Sequence, residues 1–170
     1  MAIQNMSHSL TAADPVRAFM TEISRPRIVC DIDGTLAERD LAALVAINSK
    51  FDTAFRYRDM TATQGDWIED KDIRKWYAKH HHDPIFLLDL PPYDEAIWAL
   101  WSLHSGGYHV TIASDREADL LPLSTDWLDE HGVQYDAVRV GDGEKLALAQ
   151  GASPQEPVVF IDDNPARAED

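Results

Sequence analysis

The sequence predicts an α/β fold in which helices cover both faces of a parallel β-sheet. Short apolar runs bounded by glycine, proline or aspartate recur along the chain, as in strands buried in a parallel sheet. Segments with helical spacing of apolar residues separate these runs, and such alternation produces parallel connections. The chain has 170 residues, of which 45% are hydrophobic, so a single core can fold it. We therefore expect one α/β domain with a small inserted lobe.

The chain starts with a predicted helix and a predicted strand. A helix is predicted after Pro15, because four apolar residues share one face at helical spacing: Val16, Phe19, Met20 and Ile23. Residues 28–32 then form a short apolar run, which predicts the first buried strand. Residues 33–35 have the composition of a turn, so the strand is expected to end there.

Residues 37–90 differ in composition from the rest of the chain. Their pattern is mainly helical, and they hold many aromatic side chains among many charges. We expect this stretch to form an inserted helical lobe, and residues 1–36 and 91–170 to form the α/β core. The histidine run at 80–82 is expected to be solvated, because consecutive residues on a helix point in different directions.

The alternation of helices and strands resumes after the lobe. Apolar spacing predicts three further helices, at residues 94–105, 123–131 and 144–150. Apolar runs predict three further strands, at residues 108–113, 135–140 and 158–161. The last strand leads directly into a pair of aspartates, which is important for the chemistry discussed next.

Polar residues stand where the predicted strands end. They are Asp31 and Asp33 at the first strand, Ser114 at the second, Lys145 at the start of a helix, and Asp162 and Asp163 at the last strand. Ligands bind beyond the carboxyl ends of parallel strands, so we expect these side chains to meet at one edge of the sheet. Several carboxylate oxygens at that edge would suit Mg²⁺, which prefers oxygen ligands.

The same side chains suit the hydrolysis of a phosphate ester. A lysine and a serine hydroxyl offer positive charge and a hydrogen bond to a phosphoryl group. Hydrolysis of a phosphate monoester is very slow without a catalyst, and an aspartate nucleophile divides the reaction into two displacements. A second carboxylate would protonate the leaving oxygen and then activate water. Gly34 would let the backbone curl around the phosphate and offer N–H groups to its oxygens.

The motifs and their order resemble the haloacid dehalogenase (HAD) superfamily of phosphatases. The matching segments are residues 31–36 as motif I, 111–114 as motif II, Lys145 as motif III and 158–163 as motif IV. This resemblance implies a three-layer, Rossmann-like core with a parallel sheet and a small helical cap inserted after motif I. Residues 37–90 occupy the position of that cap.

The resemblance implies roles for the four aspartates. Asp31 would be the nucleophile and a Mg²⁺ ligand, and Asp33 the general acid and base with its backbone carbonyl also on the metal. Asp163 would be the direct metal ligand of its pair, with Asp162 supporting it. An aspartate two positions after the nucleophile is typical of the phosphatases, because dehalogenases of this superfamily lack it.

Other matching residues would contact the phosphoryl group. Ser114 would bind its oxygens, together with the turn at Gly34 and Thr35. Lys145 would neutralise Asp31 and the charge that develops during the reaction. The resemblance therefore implies a complete set of phosphatase motifs.

Two branches of the superfamily fit the remaining residues. In a deoxyribonucleotidase-like protein, cap aromatics would stack on a nucleobase and Arg56 or Arg58 would lie near a phosphate. The candidates for stacking are Phe51, Phe55, Trp67 and Trp76. Asp115 and Arg116 instead resemble the phosphatase domain of polynucleotide kinase, which removes 3′-phosphates from nucleic-acid ends, and Arg116 would be a second phosphate contact. A non-catalytic phosphate-binding or regulatory module with the same fold is a third alternative.

Composition narrows the expected partners. The formal net charge of −15 argues against a long nucleic acid and favours a small phosphorylated metabolite such as a nucleotide. A single cysteine and the lack of a long apolar run predict a cytoplasmic protein without a membrane span. Only seven residues follow Asp163, so we also expect an open sheet edge that a second copy or another partner could complete.

Overall fold

A computed structural model describes residues 25–60, 65–151 and 158–164. These residues form a four-stranded parallel sheet with the strand order β3-β2-β1-β4. The strands are β1 (Arg27–Cys30), β2 (His109–Ser114), β3 (Ala137–Val140) and β4 (Val158–Ile161). The predicted α/β class with a parallel sheet is confirmed. The helix predicted after Pro15 lies outside the described residues.

Six α-helices and two short 3₁₀ turns accompany the sheet in the described part of the chain. The helices are α1 (Arg39–Phe51), α2 (Lys71–His80), α3 (Pro84–Leu88), α4 (Asp94–Ser105), α5 (Leu121–Glu130) and α6 (Glu144–Gln150). The 3₁₀ turns are Tyr57–Asp59 and Ala118–Leu120. Helices α2 and α3 begin at aspartates whose side chains accept hydrogen bonds from the first-turn amides, which satisfies donors that the helix itself leaves unpaired.

Several strand boundaries differ from the prediction by one or two residues, and the two-residue differences are at the end of β1 and the start of β3. Strand β1 ends at Cys30, so Asp31 follows the strand instead of lying within it, although its amide still donates to the Ile161 carbonyl at 3.0 Å. Strand β3 begins at Ala137 and not at residue 135. At residue 136 a side chain replaces the backbone pairing of a strand, because the Asp136 carboxylate accepts a hydrogen bond from the Val110 amide at 2.8 Å. Apolar patterning does not register such a side-chain substitute for backbone pairing.

The buried apolar side chains form two clusters. The first lies against the sheet and includes Ile28, Ile112 and the fully buried Trp127, whose indole donates to the Leu90 carbonyl at 2.9 Å. The second lies within the predicted lobe and contains Ala43, Ile47, Ile68, Ile73 and Tyr77. Leu87 and Leu90 belong to the first cluster. The separate cap with bounds at 37 and 90 therefore stays a prediction.

Both ends of the segment between residues 38 and 91 are fastened beside the end of β1. Ala37 forms isolated bridges with Asp33 and with Pro92. The Glu38 amide donates to the Pro91 carbonyl at 2.8 Å, and the Tyr93 amide donates to the Leu36 carbonyl at 2.8 Å. The segment therefore leaves and re-enters the core next to the predicted catalytic aspartates.

Candidate active site

Three carboxylates meet at the carboxyl edge of the sheet. Asp31 follows β1, and Asp162 and Asp163 follow β4, the strand paired in parallel with β1. Oxygens of the three side chains lie within 4.8 Å of one another. The parallel register produces this convergence, because it aligns Cys30 with Ile161 immediately before the acidic residues. An all-oxygen donor set of this kind fits Mg²⁺, which is the cation that the sequence predicts.

Lys145 links two of these carboxylates. Its Nζ atom lies 2.8 Å from Asp31 Oδ1 and 2.7 Å from Asp162 Oδ2, with Asp115 Oδ2 at 3.6 Å. Burial opposes the charge of the lysine, but the carboxylates of Asp31, Asp162 and Asp115 together outweigh that effect, and the pKa of Lys145 is raised. The ammonium group therefore stays protonated beside Asp31.

Asp31 is shielded from solvent, with only 8% of its side chain exposed. Burial raises the pKa of Asp31 to about 6, and the charge and hydrogen bond of Lys145 oppose this rise. A divalent cation at the acidic cluster would favour the ionised form further. The residue is thus a buried carboxylate next to the Lys145 ammonium group.

Asp33 forms a closed ion pair with Arg116. Arg116 Nε donates to Asp33 Oδ2 and Arg116 Nη2 donates to Asp33 Oδ1, each at 2.8 Å. Only 3% and 8% of the Arg116 and Asp33 side chains are exposed, and Arg116 Nη1 also donates to Ser124 Oγ at 3.2 Å. Burial raises the pKa of Asp33, but the hydrogen bonds and charge of Arg116, with the charge of Arg39 acting in the same direction, outweigh this, and the net pKa is lowered. The sequence predicted Arg116 as a phosphate contact, whereas the structure places it on Asp33.

The turn after β1 brings a glycine against the acidic cluster. Gly34 has φ of +85°, and a Cβ atom built on it would lie 2.2 Å from Asp163 Oδ2. A side chain at this position would therefore displace the Asp163 carboxylate. The Gly34 and Thr35 amides donate to the carbonyls of Ala37 and Ile32 at 2.9 and 3.3 Å, and their contacts with phosphate stay a prediction.

Two hydroxyls border this turn. Ser114 ends β2 and is buried, and its Oγ accepts from the Arg116 amide at 3.3 Å. Thr35 Oγ1 is buried and has no hydrogen-bond partner among the described residues. A phosphoryl oxygen is a suitable partner for such a hydroxyl, since buried polar groups are normally satisfied.

Asp162 and Asp163 have different surroundings. Asp162 accepts from Lys145 through Oδ2 and from the Asn164 amide through Oδ1, the latter at 2.9 Å. Burial raises the pKa of Asp163, while the nearby Arg39 lowers it. These contacts orient Asp162, while the Asp163 carboxylate lies beside Gly34, and the division of roles between the two residues stays a prediction.

The predicted base-stacking residues pack inside the lobe. Phe55 and Trp67 meet edge to face, with ring centroids 5.3 Å apart, and both pack against the second hydrophobic cluster. Arg56 is exposed, and its amide donates to Asp59 Oδ2 at 2.7 Å. The structure does not bring these three residues together with the acidic cluster, so their substrate contacts stay a prediction.

Two residues near the site were missed or misjudged from the sequence. Arg39 begins α1, and its charge acts on both Asp33 and Asp163. The expectation that the histidine run is solvated is wrong for His81, because its Nδ1 atom is buried without a partner among the described residues. The helix ends at His80, so His81 no longer follows the helical spacing on which the expectation rested. The only feature of the sequence that could have identified Arg39 as a residue near the site is its position three residues after motif I.

Comparisons with solved structures agree with this fold. A haloacid dehalogenase-like hydrolase from Streptococcus pneumoniae superposes with a TM-score of 0.53 at 16% identity, covering 82% of this chain and 76% of that one. A HAD-hydrolase from Bacillus subtilis bound to magnesium gives 0.50 at 12% identity, covering 83% and 81%. A predicted phosphoglycolate phosphatase from Haemophilus somnus gives 0.50 at 17% identity, covering 80% and 76%. The chain shares the fold of these hydrolases.

The likeness is one of structure and not of sequence. No protein-family model matches the chain, and a search of curated proteins finds no significant match. The Rossmann-like α/β fold implied by the motifs is therefore shown by the structure itself. No helix within the described segments is long and apolar enough to cross a bilayer.

Proposed function

We propose that this protein is a Mg²⁺-dependent phosphomonoester hydrolase that works through an aspartyl-phosphate on Asp31. The observation that supports this most is the position of Lys145, within 2.8 Å of both Asp31 and Asp162 and beside a cluster of three carboxylates. A buried ammonium group shared by two carboxylates next to an all-oxygen donor set suits a phosphoryl group.

The proposed reaction has two displacements at phosphorus. An Asp31 oxygen attacks, the bond from phosphorus to the ester oxygen breaks, and the leaving oxygen takes a proton. Water then attacks the aspartyl-phosphate, releases inorganic phosphate and restores the Asp31 carboxylate. Lys145 holds Asp31 in place and offsets the charge that develops on the phosphoryl oxygens. Mg²⁺ held by Asp31, Asp163 and Asp162 would supply further positive charge at the same oxygens.

Asp33 is better suited to accept a proton from the attacking water than to donate one to the leaving oxygen. Its ion pair with Arg116 favours the ionised carboxylate, so it can accept a proton from the attacking water. Protonation of the leaving oxygen requires a protonated Asp33, and Arg116 must first release one carboxylate oxygen. We propose that substrate binding produces this release.

We propose a small nucleotide-like phosphomonoester as the substrate. The acidic chain, with a net charge of −15, disfavours long polyanions, and salt-dependent phosphate contacts would need a basic surface. Comparing the turnover of deoxynucleoside monophosphates with that of a 3′-phosphorylated oligonucleotide tests whether the small substrate is preferred. A preference for the oligonucleotide would support the polynucleotide 3′-phosphatase alternative.

The first test replaces the nucleophile. With Mg²⁺ and an aryl phosphate, Asp31→Asn should lower kcat by about 1,000-fold or more, since the covalent step is lost. Asp126→Asn makes the same chemical change at an exposed position on α5 and should keep normal turnover. Release of inorganic phosphate is the measurement. Undiminished turnover by Asp31→Asn would refute the mechanism, and tight phosphate binding without any turnover would favour the non-catalytic module.

A further inference from the structure

Ser124 is a polar residue on the buried face of α5. It is fully buried, and the other buried residues of this helix, Trp127 and Leu128, follow it at helical spacing. A hydroxyl among apolar side chains costs free energy unless it has a hydrogen-bond partner. Its partner is Arg116, whose Nη1 atom donates to Ser124 Oγ at 3.2 Å. This bond connects α5 to the guanidinium group that holds Asp33.

Arg116 is held at both ends of its residue. Its amide donates to Ser114 Oγ at 3.3 Å, which fixes the backbone just after β2. Each of the three guanidinium nitrogens has a partner, since Nε and Nη2 donate to the two Asp33 oxygens at 2.8 Å and Nη1 donates to Ser124. A guanidinium is a rigid plane, so a shift of one of these bonds moves the other two. The Ser124 contact therefore helps to set the orientation of the Asp33 carboxylate.

The Ser124 contact acquires a specific use when Arg116 releases one oxygen of Asp33. In the proposed reaction, Asp33 needs a free oxygen to transfer a proton to the leaving group. The guanidinium then keeps one bond to Asp33 and the Nη1 bond to Ser124, and these two bonds hold it in place. Without the Ser124 hydroxyl, a single bond to Asp33 would remain. Only 3% of the Arg116 side chain is exposed, so water has little access to replace the hydroxyl.

We propose that Ser124 is a positioning residue that acts on catalysis through Arg116 and Asp33. This inference rests on the proposed hydrolase function. Ser124 anchors the guanidinium, the guanidinium orients the Asp33 carboxylate, and the oriented carboxyl group protonates the leaving oxygen of the substrate. The contribution of Ser124 is therefore confined to substrates whose leaving oxygen needs that proton.

The test compares two aryl phosphates that differ in their need for a proton. Phenyl phosphate has a basic leaving oxygen, whereas dinitrophenyl phosphate releases a stable phenolate. Values of kcat/KM report the steps up to formation of the aspartyl-phosphate. With Mg²⁺, Ser124→Ala should lower kcat/KM for phenyl phosphate by about tenfold and change that for the dinitrophenyl ester by less than about twofold, since a misplaced acid loses part of its effect. Ser124→Thr keeps the hydroxyl and should retain most of the wild-type ratio.

Thr125→Val is the matched control, because it removes a hydroxyl from the next residue of α5. The Thr125 hydroxyl donates to the Leu121 carbonyl at 2.9 Å, within the helix itself. This variant should treat the two esters as the wild type does. An equal fall for both esters in Ser124→Ala, or no fall for either, would overturn the proposal. The same loss in Thr125→Val or in Ser124→Thr would overturn it as well.

A measurement without turnover separates this proposal from the hydrolase function. The Nε–H group of Arg116 donates to Asp33 in a buried site, so its proton should exchange slowly with water and give an NMR signal that Arg116→Lys removes. Ser124→Ala should speed this exchange by about tenfold, because the pair opens more often, and Ser124→Thr should restore the slow rate. An unchanged rate in Ser124→Ala would refute the anchor. Faster exchange together with undiminished turnover by Asp31→Asn would refute the hydrolase mechanism and keep the anchor.

Discussion

Gly34 shows how one residue type makes the acidic cluster possible. Asp163 can approach the turn after β1 only because Gly34 has no Cβ atom. A Cβ atom at this position would lie 2.2 Å from Asp163 Oδ2. The positive φ of +85° gives a second reason for glycine, because L-residues are strained in that region. Backbone strain and side-chain crowding thus act at the same position.

Gly34→Ala separates these two effects when it is compared with Gly107→Ala. Gly107 has a similar φ of +92°, but a Cβ atom there meets nothing within 4 Å. Both variants should lose about 1 kcal/mol of unfolding free energy from backbone strain. Only Gly34→Ala should also weaken the apparent affinity for Mg²⁺, by about tenfold, because it displaces Asp163. Urea unfolding and Mg²⁺ titration of activity measure the two effects, and equal Mg²⁺ affinities would contradict the crowding argument.

Asp136 joins separate elements of the core where β3 begins. Its carboxylate accepts from the Val110 amide of β2 and lies 3.3 Å from Arg25, 3.4 Å from His109 and 3.6 Å from His104. Burial raises the pKa of Asp136, but the Val110 amide and the neighbouring His109, Arg25 and His104 outweigh it, and the net pKa is lowered. The carboxylate thus connects the residues before β1 with the end of α4 and the start of β2.

Asp136→Asn should cost about 1 kcal/mol of unfolding free energy at pH 7, because the amide keeps an acceptor but loses the charge. A carboxyl group whose pKa is lower in the folded state adds stability above its unfolded value of 3.8 and loses it as the pH falls below that value. The difference between wild type and variant should therefore shrink between pH 5 and about pH 3. Urea unfolding across this range is the measurement, and a difference that does not change with pH would contradict the charge argument.

Strand β4 is an edge strand of the sheet. Strand β4 pairs only with β1 among the described strands, and Val159 on it is exposed. Exposed strand edges attract further strands. Completion of this edge by a second copy or another partner stays a prediction, which a measurement of mass in solution would test.

The whole molecule carries excess negative charge, and the acidic cluster concentrates part of it. Asp31, Asp162 and Asp163 face one another, while Lys145 neutralises only part of their charge. Carboxylates held this close repel each other unless a cation binds. A divalent ion should therefore bind to the folded state more tightly than to the unfolded chain, in which these carboxylates are not held together.

Mg²⁺ should accordingly stabilise the folded protein. At about one hundred times its dissociation constant, the ion should add about 2.7 kcal/mol to the unfolding free energy. Asp163→Asn should lose most of this gain, whereas Asp126→Asn on exposed α5 should keep it. Thermal unfolding with Mg²⁺ and with a chelator measures the effect. Equal stabilisation of both variants would place the ion elsewhere.

The sequence by itself determined the class of the fold and the composition of the acidic cluster. Apolar runs identify strands because burial on both faces excludes polar residues, and parallel strands must present their carboxyl ends at one edge. The sequence alone therefore predicts that Asp31, Lys145 and Asp163 lie at the carboxyl edge of the sheet, where the structure has them.

Only the tertiary structure decided which cations pair with which carboxylates. Arg116 pairs with Asp33, and the charge of Arg39, at the start of α1, acts on Asp33 and Asp163. Phe55 and Trp67 pack against the second hydrophobic cluster, although their composition alone suited base stacking equally well. Long side chains reach several ångströms in directions that depend on neighbours distant in sequence, so spacing along the chain does not specify their partners.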